Sequence, residues 1–154
     1  MKRNQAEQGF SMVEVVIALG LLAFVLISIA GLFVLGGKQL SSGRNHTEAL
    51  AVAQDIHEEM NRWGFHQTWD LFGIDGSTVR AADVDTLNNS YAQRWQPTID
   101  ERLFNGSATI RIESLGPVNP APVLQSTRAI KVIVTVNWDE GGRSREIELG
   151  NVRM

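Results

Sequence analysis

The sequence contains no cysteine among its 154 residues. This absence excludes disulfide bonds, cysteine-ligated zinc, iron–sulfur clusters and thiol catalysis. Basic residues are not in excess either, since 14 Lys and Arg stand against 17 Asp and Glu, whereas a general nucleic-acid binder normally carries a clear basic surplus. The length accommodates one modest domain and excludes a large multi-domain enzyme.

Charge is almost missing from one stretch near the N-terminus. Between positions 10 and 37, 21 of 28 residues are apolar and Glu14 is the only charged one. As a helix, the uncharged run 15–37 would extend about 34 Å, enough for a hydrocarbon core of about 30 Å. Its Leu, Ile, Val and Phe surround the whole helix and leave no polar face for water. The pattern therefore predicts a polar leader, a membrane-spanning helix and one soluble domain.

Three ordinary interpretations of this run fit it less well. A secretory signal peptide has an apolar region of about 7–15 residues and a small-residue cleavage site, whereas this run is longer and leads into Gly36-Gly37-Lys38-Gln39. A lipoprotein signal would need a cysteine. A plain membrane anchor leaves Glu14 unexplained, because a carboxylate deep in a membrane helix costs about 2.5–3.5 kcal/mol.

A polar leader, residues 1–9, ends in Gly9 and is followed by Phe10-Ser11-Met12-Val13-Glu14 and the apolar run. This combination resembles the class III signal of type IV prepilins and type II secretion pseudopilins. The resemblance implies cleavage between Gly9 and Phe10, N-methylation of Phe10, and Glu14 as the fifth residue of the mature chain. Ser11-Met12-Val13 replaces the commoner Thr-Leu-Ile or Thr-Leu-Leu.

The chemistry of these positions is consistent with filament assembly. Cleavage after Gly9 would create a positive amine on Phe10, which Glu14 can neutralise on its own helix or on a neighbouring one. An unpaired charge is costly in an apolar bundle, so pairing between subunits would fix the axial stagger of packed helices. Gly31 stands where major pilins often carry a proline, and we predict local flexibility there.

The resemblance also implies a function and a set of partners. Residues 134–149 look like the closing hairpin of minor type IV pilins of the PilV kind, which implies a role in priming pilus assembly or modifying the pilus tip. The implied partners are the prepilin peptidase/N-methyltransferase, other minor and major pilins, the inner-membrane assembly platform and the lipid bilayer. Neither a cofactor nor a nucleic acid is expected, and no motif indicates an enzyme.

The resemblance further implies a location. We expect a single-pass inner-membrane protein with a cytoplasmic N-terminus and a periplasmic domain, which later enters the filament. Two alternatives stay open. One is an I-type minor pseudopilin of type II secretion, and the other is a membrane-tethered periplasmic binding module that never polymerises.

The rest of the sequence predicts an α+β, pilin-like fold. Apolar residues at three- and four-residue steps extend the helix over 38–63, with Gly36-Gly37 and Gly43 as its expected weak points. Two hairpins would supply an antiparallel sheet of about four strands: 98–104 with 107–114 through Asn105-Gly106, and 129–138 with 143–152. The predicted segments are the leader 1–9, the transmembrane and filament-core helix 10–37, the amphipathic helix 38–63, an irregular connection 64–97 and the sheet region 98–154.

No metal or ligand motif is convincing. The three histidines, His46, His57 and His66, lack metal-ligand spacing and are expected on a wet helix surface. Residues 83–88 begin like a calcium-binding loop but place Leu87 at a ligand position, so a solvated turn is favoured. Whether the region 64–97 binds calcium or a partner stays open. The four tryptophans are expected to pack in the core.

Overall fold

The computed structural model describes residues 11–117 and 120–154. Contacts divide the chain into two compact units, Met1–Ser41 and Ser42–Met154. The helices are α1 (Met12–Asn61), α2 (Gln67–Asp70) and α3 (Gln96–Arg102), and short 3-10 turns occupy Ala92–Trp95 and Leu124–Ser126. The strands are β1 (Ala81–Asp85), β2 (Ser107–Leu115), β3 (Ala129–Glu140) and β4 (Arg143–Arg153).

Helix α1 is continuous over 50 residues and passes through the glycines that were expected to weaken it. A Cβ added at Gly36, Gly37 or Gly43 would meet nothing within 4 Å, so no close contact requires glycine there. Each glycine costs a helix about 1 kcal/mol, yet α1 has no break at any of the three. The predicted start, Phe10, lies outside the described residues.

Within the second unit, α1 buries one face in the hydrophobic core. Its buried residues recur at three- and four-residue steps and are Ala49, Val52, Ala53, Ile56, His57 and Met60. The expectation of a solvated His57 is therefore wrong: the side chain is 6% exposed, and its Nε2 donates a hydrogen bond to the Leu149 carbonyl at 2.8 Å. His57 lies in the same stripe as Ala53 and Met60, which is why it is buried.

The four strands form one antiparallel sheet in the order β1-β2-β3-β4. Alternate residues of the long central strands point to α1, as the burial of Ile110, Ile112, Val132, Val134 and Val136 shows. The predicted α+β architecture, a long N-terminal helix packed on four antiparallel strands, is confirmed.

One predicted hairpin is wrong. Residues 98–104 are not a strand, because α3 occupies Gln96–Arg102, and β2 pairs instead with β1, which lies inside the connection expected to be irregular. Pro97 suits the first turn of a helix, and Ile99 and Leu103, four residues apart, are both buried. Asn105-Gly106 thus joins a helix to a strand, and a Cβ on Gly106 would lie 2.6 Å from Ile99 Cγ2.

The other predicted hairpin is confirmed. Strands β3 and β4 pair from Glu140↔Arg143 outward. Gly141 and Gly142 form the connection with φ angles of 58° and 78°. Positive φ at both central residues is typical of the two-residue turn that matches the twist of a hairpin.

Candidate functional site

The first turn of α1 is closed by Ser11. Its Oγ accepts a hydrogen bond from the Val13 N–H at 3.3 Å, and its carbonyl accepts one from the Val15 N–H at 3.2 Å. Ser11 is therefore the N-cap, and Glu14 stands at the third helical position, as in a capping box. By resemblance alone, Ser11 is only a departure from the commoner threonine. The signal for the cap was Ser-x-x-Glu before an apolar run.

Glu14 lies in this capped first turn and is exposed. The partial positive charge at a helix N-terminus favours a carboxylate there. Among residues 11–117 and 120–154, no basic side chain forms an ion pair with Glu14. Gly9 and Phe10 lie outside the described residues, so cleavage between them and pairing of the Phe10 amine with Glu14 stay predictions.

Among the described helices, α1 is the one that contains a stretch long and apolar enough to cross a membrane. Its most apolar 18-residue window has a mean hydropathy of 2.9, and none of that window is buried within the chain. Phe24, Ile27 and Phe33 are each more than 70% exposed. An apolar surface of this extent needs lipid or other helices to cover it.

Polar atoms within this apolar segment are satisfied locally. Ser28 Oγ donates to the Phe24 carbonyl at 2.9 Å, so its hydroxyl needs no external partner. Gly31 is helical, and a Cβ there would meet no atom within 4 Å. Flexibility at Gly31 stays a prediction.

A polar cleft in the second unit is an alternative candidate site. It encloses about 320 Å³ and is lined chiefly by His66, Trp69, Asp70, Asp75 and Gln125. Asp75 Oδ1 accepts hydrogen bonds from the Ser77 N–H at 3.0 Å and from Ser77 Oγ at 2.6 Å, and these bonds lower the pKa of Asp75. One oxygen of this carboxylate thus closes a local turn.

The carboxylates of the calcium-like stretch serve other contacts. Asp83 lies on β1 and accepts hydrogen bonds from Arg111 Nη1 at 3.0 Å, while Asp85 Oδ1 accepts the Leu87 N–H at 2.7 Å. In the part of the chain that the structure describes, no three His, Asp or Glu side chains are grouped to hold a metal ion.

The tryptophans pack in the core, as predicted. Trp69, Trp95 and Trp138 are buried, and the half-buried Trp63 stacks on Trp95 with ring centroids 6.2 Å apart. Trp95 Nε1 donates to Glu59 Oε2 at 2.7 Å, and the other Glu59 oxygen pairs with Arg94 at 2.7 Å. Glu59 thereby ties α1 to the segment that joins β1 to α3.

Arg153, at the end of β4, caps the C-terminal end of α1. Its guanidinium donates to the carbonyls of Met60 and Trp63 at 3.0 and 2.7 Å and to Thr68 Oγ1 at 2.6 Å. Burial lowers the pKa of Arg153. The last carbonyls of a helix lack partners within it, and a cation near them is favourable. No local sequence pattern indicated this contact between residues some ninety positions apart.

Comparison with known proteins places the functional signal in the N-terminal segment. A family model described as the prokaryotic N-terminal methylation motif matches residues 4–30. No curated protein and no solved structure gives a significant match. The motif, the apolar helix and the antiparallel sheet support the type IV prepilin and pseudopilin family, whose members are generally structural proteins. A prepilin motif implies processing by prepilin peptidase, membrane anchoring and assembly with other pilins.

Proposed function

We propose that this chain, with the N-terminal methylation motif of prepilins and pseudopilins, is a minor type IV pilin of the PilV kind. In this proposal it is cleaved between Gly9 and Phe10, methylated on Phe10 and incorporated into the pilus. One observation carries the proposal: the motif at 4–30 overlaps the apolar segment of α1, which up to residue 37 exposes its large apolar side chains and holds a single carboxylate, Glu14.

The proposed mechanism is packing of helices rather than chemistry. Burial of apolar surface is worth about 25 cal/mol per Å², so the exposed segment supplies a large, non-directional attraction between subunits. This attraction alone does not select a stagger. A pair between Glu14 of one subunit and the Phe10 amine of another would select it, because any other stagger leaves charges unpaired in an apolar bundle.

The proposed orientation places the N-terminus in the cytoplasm and the sheet domain in the periplasm. Lys2 and Arg3 before the span are balanced by Lys38 and Arg44 after it, so this orientation rests on the resemblance to the prepilin signal. Since the chain retains Glu14, we place it beneath another subunit, with a role in priming assembly or modifying the tip.

Substitution of Glu14 tests the mechanism. Glu14→Ala should leave cleavage intact and lower the fraction of this protein in sheared filaments at least about tenfold, the effect of losing about 1.4 kcal/mol of pairing. Glu48→Ala, which removes a half-buried carboxylate from the second unit's part of α1, is the matched control. Immunoblots of filament and membrane fractions give both numbers, and equal recovery of the two variants would refute the pairing mechanism.

A type II secretion minor pseudopilin of the I type is the alternative function, because the methylation motif fits either system. Neighbouring genes discriminate between the two. A pilus motor and other minor pilins would support our proposal, and a secretin operon would support the pseudopilin. Retention of residues 1–9 in the native protein would instead indicate a tethered binding module.

A further inference from the structure

The polar cleft in the second unit holds side chains that the proposed function leaves unused. It encloses about 320 Å³, and its lining includes His66, Trp69, Asp70, Asp75 and Gln125. All of these residues belong to the unit Ser42–Met154, so the cleft does not involve the apolar segment. A volume of this size lies at the lower end of the range for small-molecule sites in proteins.

Trp69 brings to this cleft a hydrogen-bond donor that has no acceptor in the described part of the chain. Its side chain is 2% exposed, and no described residue accepts a hydrogen bond from its Nε1, whereas Trp95 Nε1 donates to Glu59. Trp138 Nε1 also lacks a partner but is fully enclosed, while Trp69 lines the cleft. Since a buried indole N–H usually finds an acceptor, a ligand in the cleft would supply the missing one.

Gly76 leaves the N–H edge of this indole uncovered. A Cβ at Gly76 would lie 2.4 Å from Trp69 Nε1 and 2.9 Å from its Cδ1. The φ angle of Gly76 is not positive, so the backbone conformation does not require glycine there. The close approach to the indole does require it. Because Gly76 also lines the cleft, the N–H edge lies at the cleft wall.

Asp75 supplies the complementary acceptor. Its Oδ1 accepts the two hydrogen bonds from Ser77, whereas no described residue donates to its Oδ2. The bonds from Ser77 lower the pKa of Asp75, so the carboxylate is ionised at neutral pH and can only accept. The exposed Asp70 carboxylate forms no ion pair with any residue that the structure describes.

Backbone hydrogen bonds hold the walls of the cleft together. The Gln125 N–H donates to the Gly76 carbonyl at 2.9 Å, and the Ile74 N–H donates to the Trp69 carbonyl at 3.2 Å. These bonds connect α2, the turn that contains Gly76 and the second 3-10 turn. A site that is already formed loses less conformational freedom when a ligand binds.

The polar groups of the cleft select the chemistry of its ligand. An indole N–H can only donate a hydrogen bond, and an ionised carboxylate can only accept one. A metal cation or an ammonium group would leave the Trp69 N–H unpaired, and an anion would be repelled by Asp70 and Asp75. A hydroxyl group both accepts and donates, so a ligand with several hydroxyl groups satisfies both kinds of group. Ile74, half-buried in the lining, offers an apolar contact to the C–H groups of a sugar ring.

We propose that this cleft binds a neutral saccharide, with Trp69 Nε1 donating to one sugar oxygen and Asp75 Oδ2 accepting from a sugar hydroxyl. His66 and Gln125, both exposed in the cleft lining, supply contacts to further hydroxyl groups. Saccharide binding adds a function to the second unit, and it depends neither on the proposed processing nor on assembly.

The indole resonances of the full chain test this proposal. The 4 tryptophans each give one indole signal in proton–nitrogen correlation spectra of the protein in a detergent without a sugar headgroup. Replacing each tryptophan by phenylalanine in turn assigns them. Glucose and N-acetylglucosamine are titrated separately into the millimolar range. The Trp69 signal should shift and saturate, whereas the signal of the enclosed Trp138 should not move. The sugar that saturates at the lower concentration distinguishes a neutral polysaccharide from a cell-wall glycan as the source.

The deciding comparison is Asp75→Asn against Asp100→Asn. The asparagine oxygen at position 75 can still accept from Ser77, so the turn is kept while the charged acceptor is lost. The half-saturating sugar concentration should therefore rise about tenfold, because hydrogen bonds to charged groups are the stronger ones. Asp100, exposed on α3, accepts from Gln96 Nε2 at 2.8 Å and is not part of the cleft lining. Its replacement should leave the titration unchanged, and equal thermal midpoints verify that both variants are folded.

A Trp69 signal that neither sugar moves would overturn the proposal, and so would an unchanged titration in Asp75→Asn. Calcium chloride and sodium phosphate are titrated in parallel. A shift of the Trp69 signal with either salt but with neither sugar would also contradict the proposal, because the cleft would then take a cation or an anion. Recovery of the protein in filaments is measured separately, so a failure here is distinguished from a failure of the proposed function.

Discussion

The two parts of helix α1 have opposite relations to their surroundings. Between residues 12 and 40 the large apolar side chains are exposed, with Phe24 and Phe33 both above 70%. Between residues 49 and 60 the apolar residues form a stripe that is almost fully buried against the sheet. One helix therefore contains a surface completed within the chain and a surface that needs other molecules.

The difference shows why average composition was uninformative. Overall, 44% of the residues are hydrophobic, as in an ordinary soluble domain. In the second unit these residues alternate with polar ones at helix or strand periods, which allows burial on one side. In the apolar segment they have no such period, so the chain alone cannot bury them.

The largest expected effect comes from making one substitution in both parts of α1. Ile56 is 1% exposed and Ile27 is 73% exposed. Ile56→Ala should lower the free energy of unfolding of the sheet domain by about 2–5 kcal/mol, because it removes buried contacts and leaves a cavity. Ile27→Ala should leave that free energy unchanged. Thermal unfolding in detergent followed by near-ultraviolet circular dichroism measures both, and equal loss at the two positions would contradict the division of α1.

The next effect concerns the cap that ends the buried part of α1. Arg153→Met should cost about 1.5–3 kcal/mol, since it leaves the Met60 and Trp63 carbonyls without their charged donor. Arg145→Met is the matched control on the same strand: Arg145 is exposed, and its long 3.7 Å contact with the half-buried Glu140 is worth about 0–1 kcal/mol. Denaturant unfolding compares the two variants. An equal loss would mean that Arg153 does not fix the helix end.

The predictable parts of the fold were those set by local pattern. The apolar run, the stripe through Ile56 and Met60, and the hairpin at Gly141-Gly142 each depend on neighbours in sequence. The pairing of β2 with β1 depends on contacts between residues some thirty positions apart, such as Ala81↔Glu113, and Asn105-Gly106 pointed to the wrong partner. Pro97 followed by Ile99 and Leu103 was the overlooked helix signal.

The functional and structural residues described above divide in the same way, into those that the local sequence indicated and those that it did not. Glu14 stood out because it is the one charge in an apolar stretch, and its significance needed no tertiary contact. Arg153 and the buried His57 could not be assigned a role from local sequence, because their partners, Met60 and Leu149, lie far away along the chain.

A smaller effect is expected from replacing a glycine by alanine in each unit. Gly142→Ala should destabilise the sheet domain by about 1 kcal/mol, because a Cβ is unfavourable at φ 78°. Gly31→Ala should instead stabilise its helix by about 1 kcal/mol, as no atom obstructs the added methyl group. Thermal unfolding measures the first change, and slower amide exchange around position 31 measures the second. Unchanged exchange there would contradict the predicted flexibility at Gly31.

The central claim is that the exposed apolar segment belongs to a processed filament subunit. Intact-mass analysis of the protein isolated from its native membranes or filaments tests it most directly. The account predicts a chain that begins at N-methylated Phe10, without residues 1–9. A chain that retains residues 1–9 would contradict it and would make the apolar helix a permanent anchor.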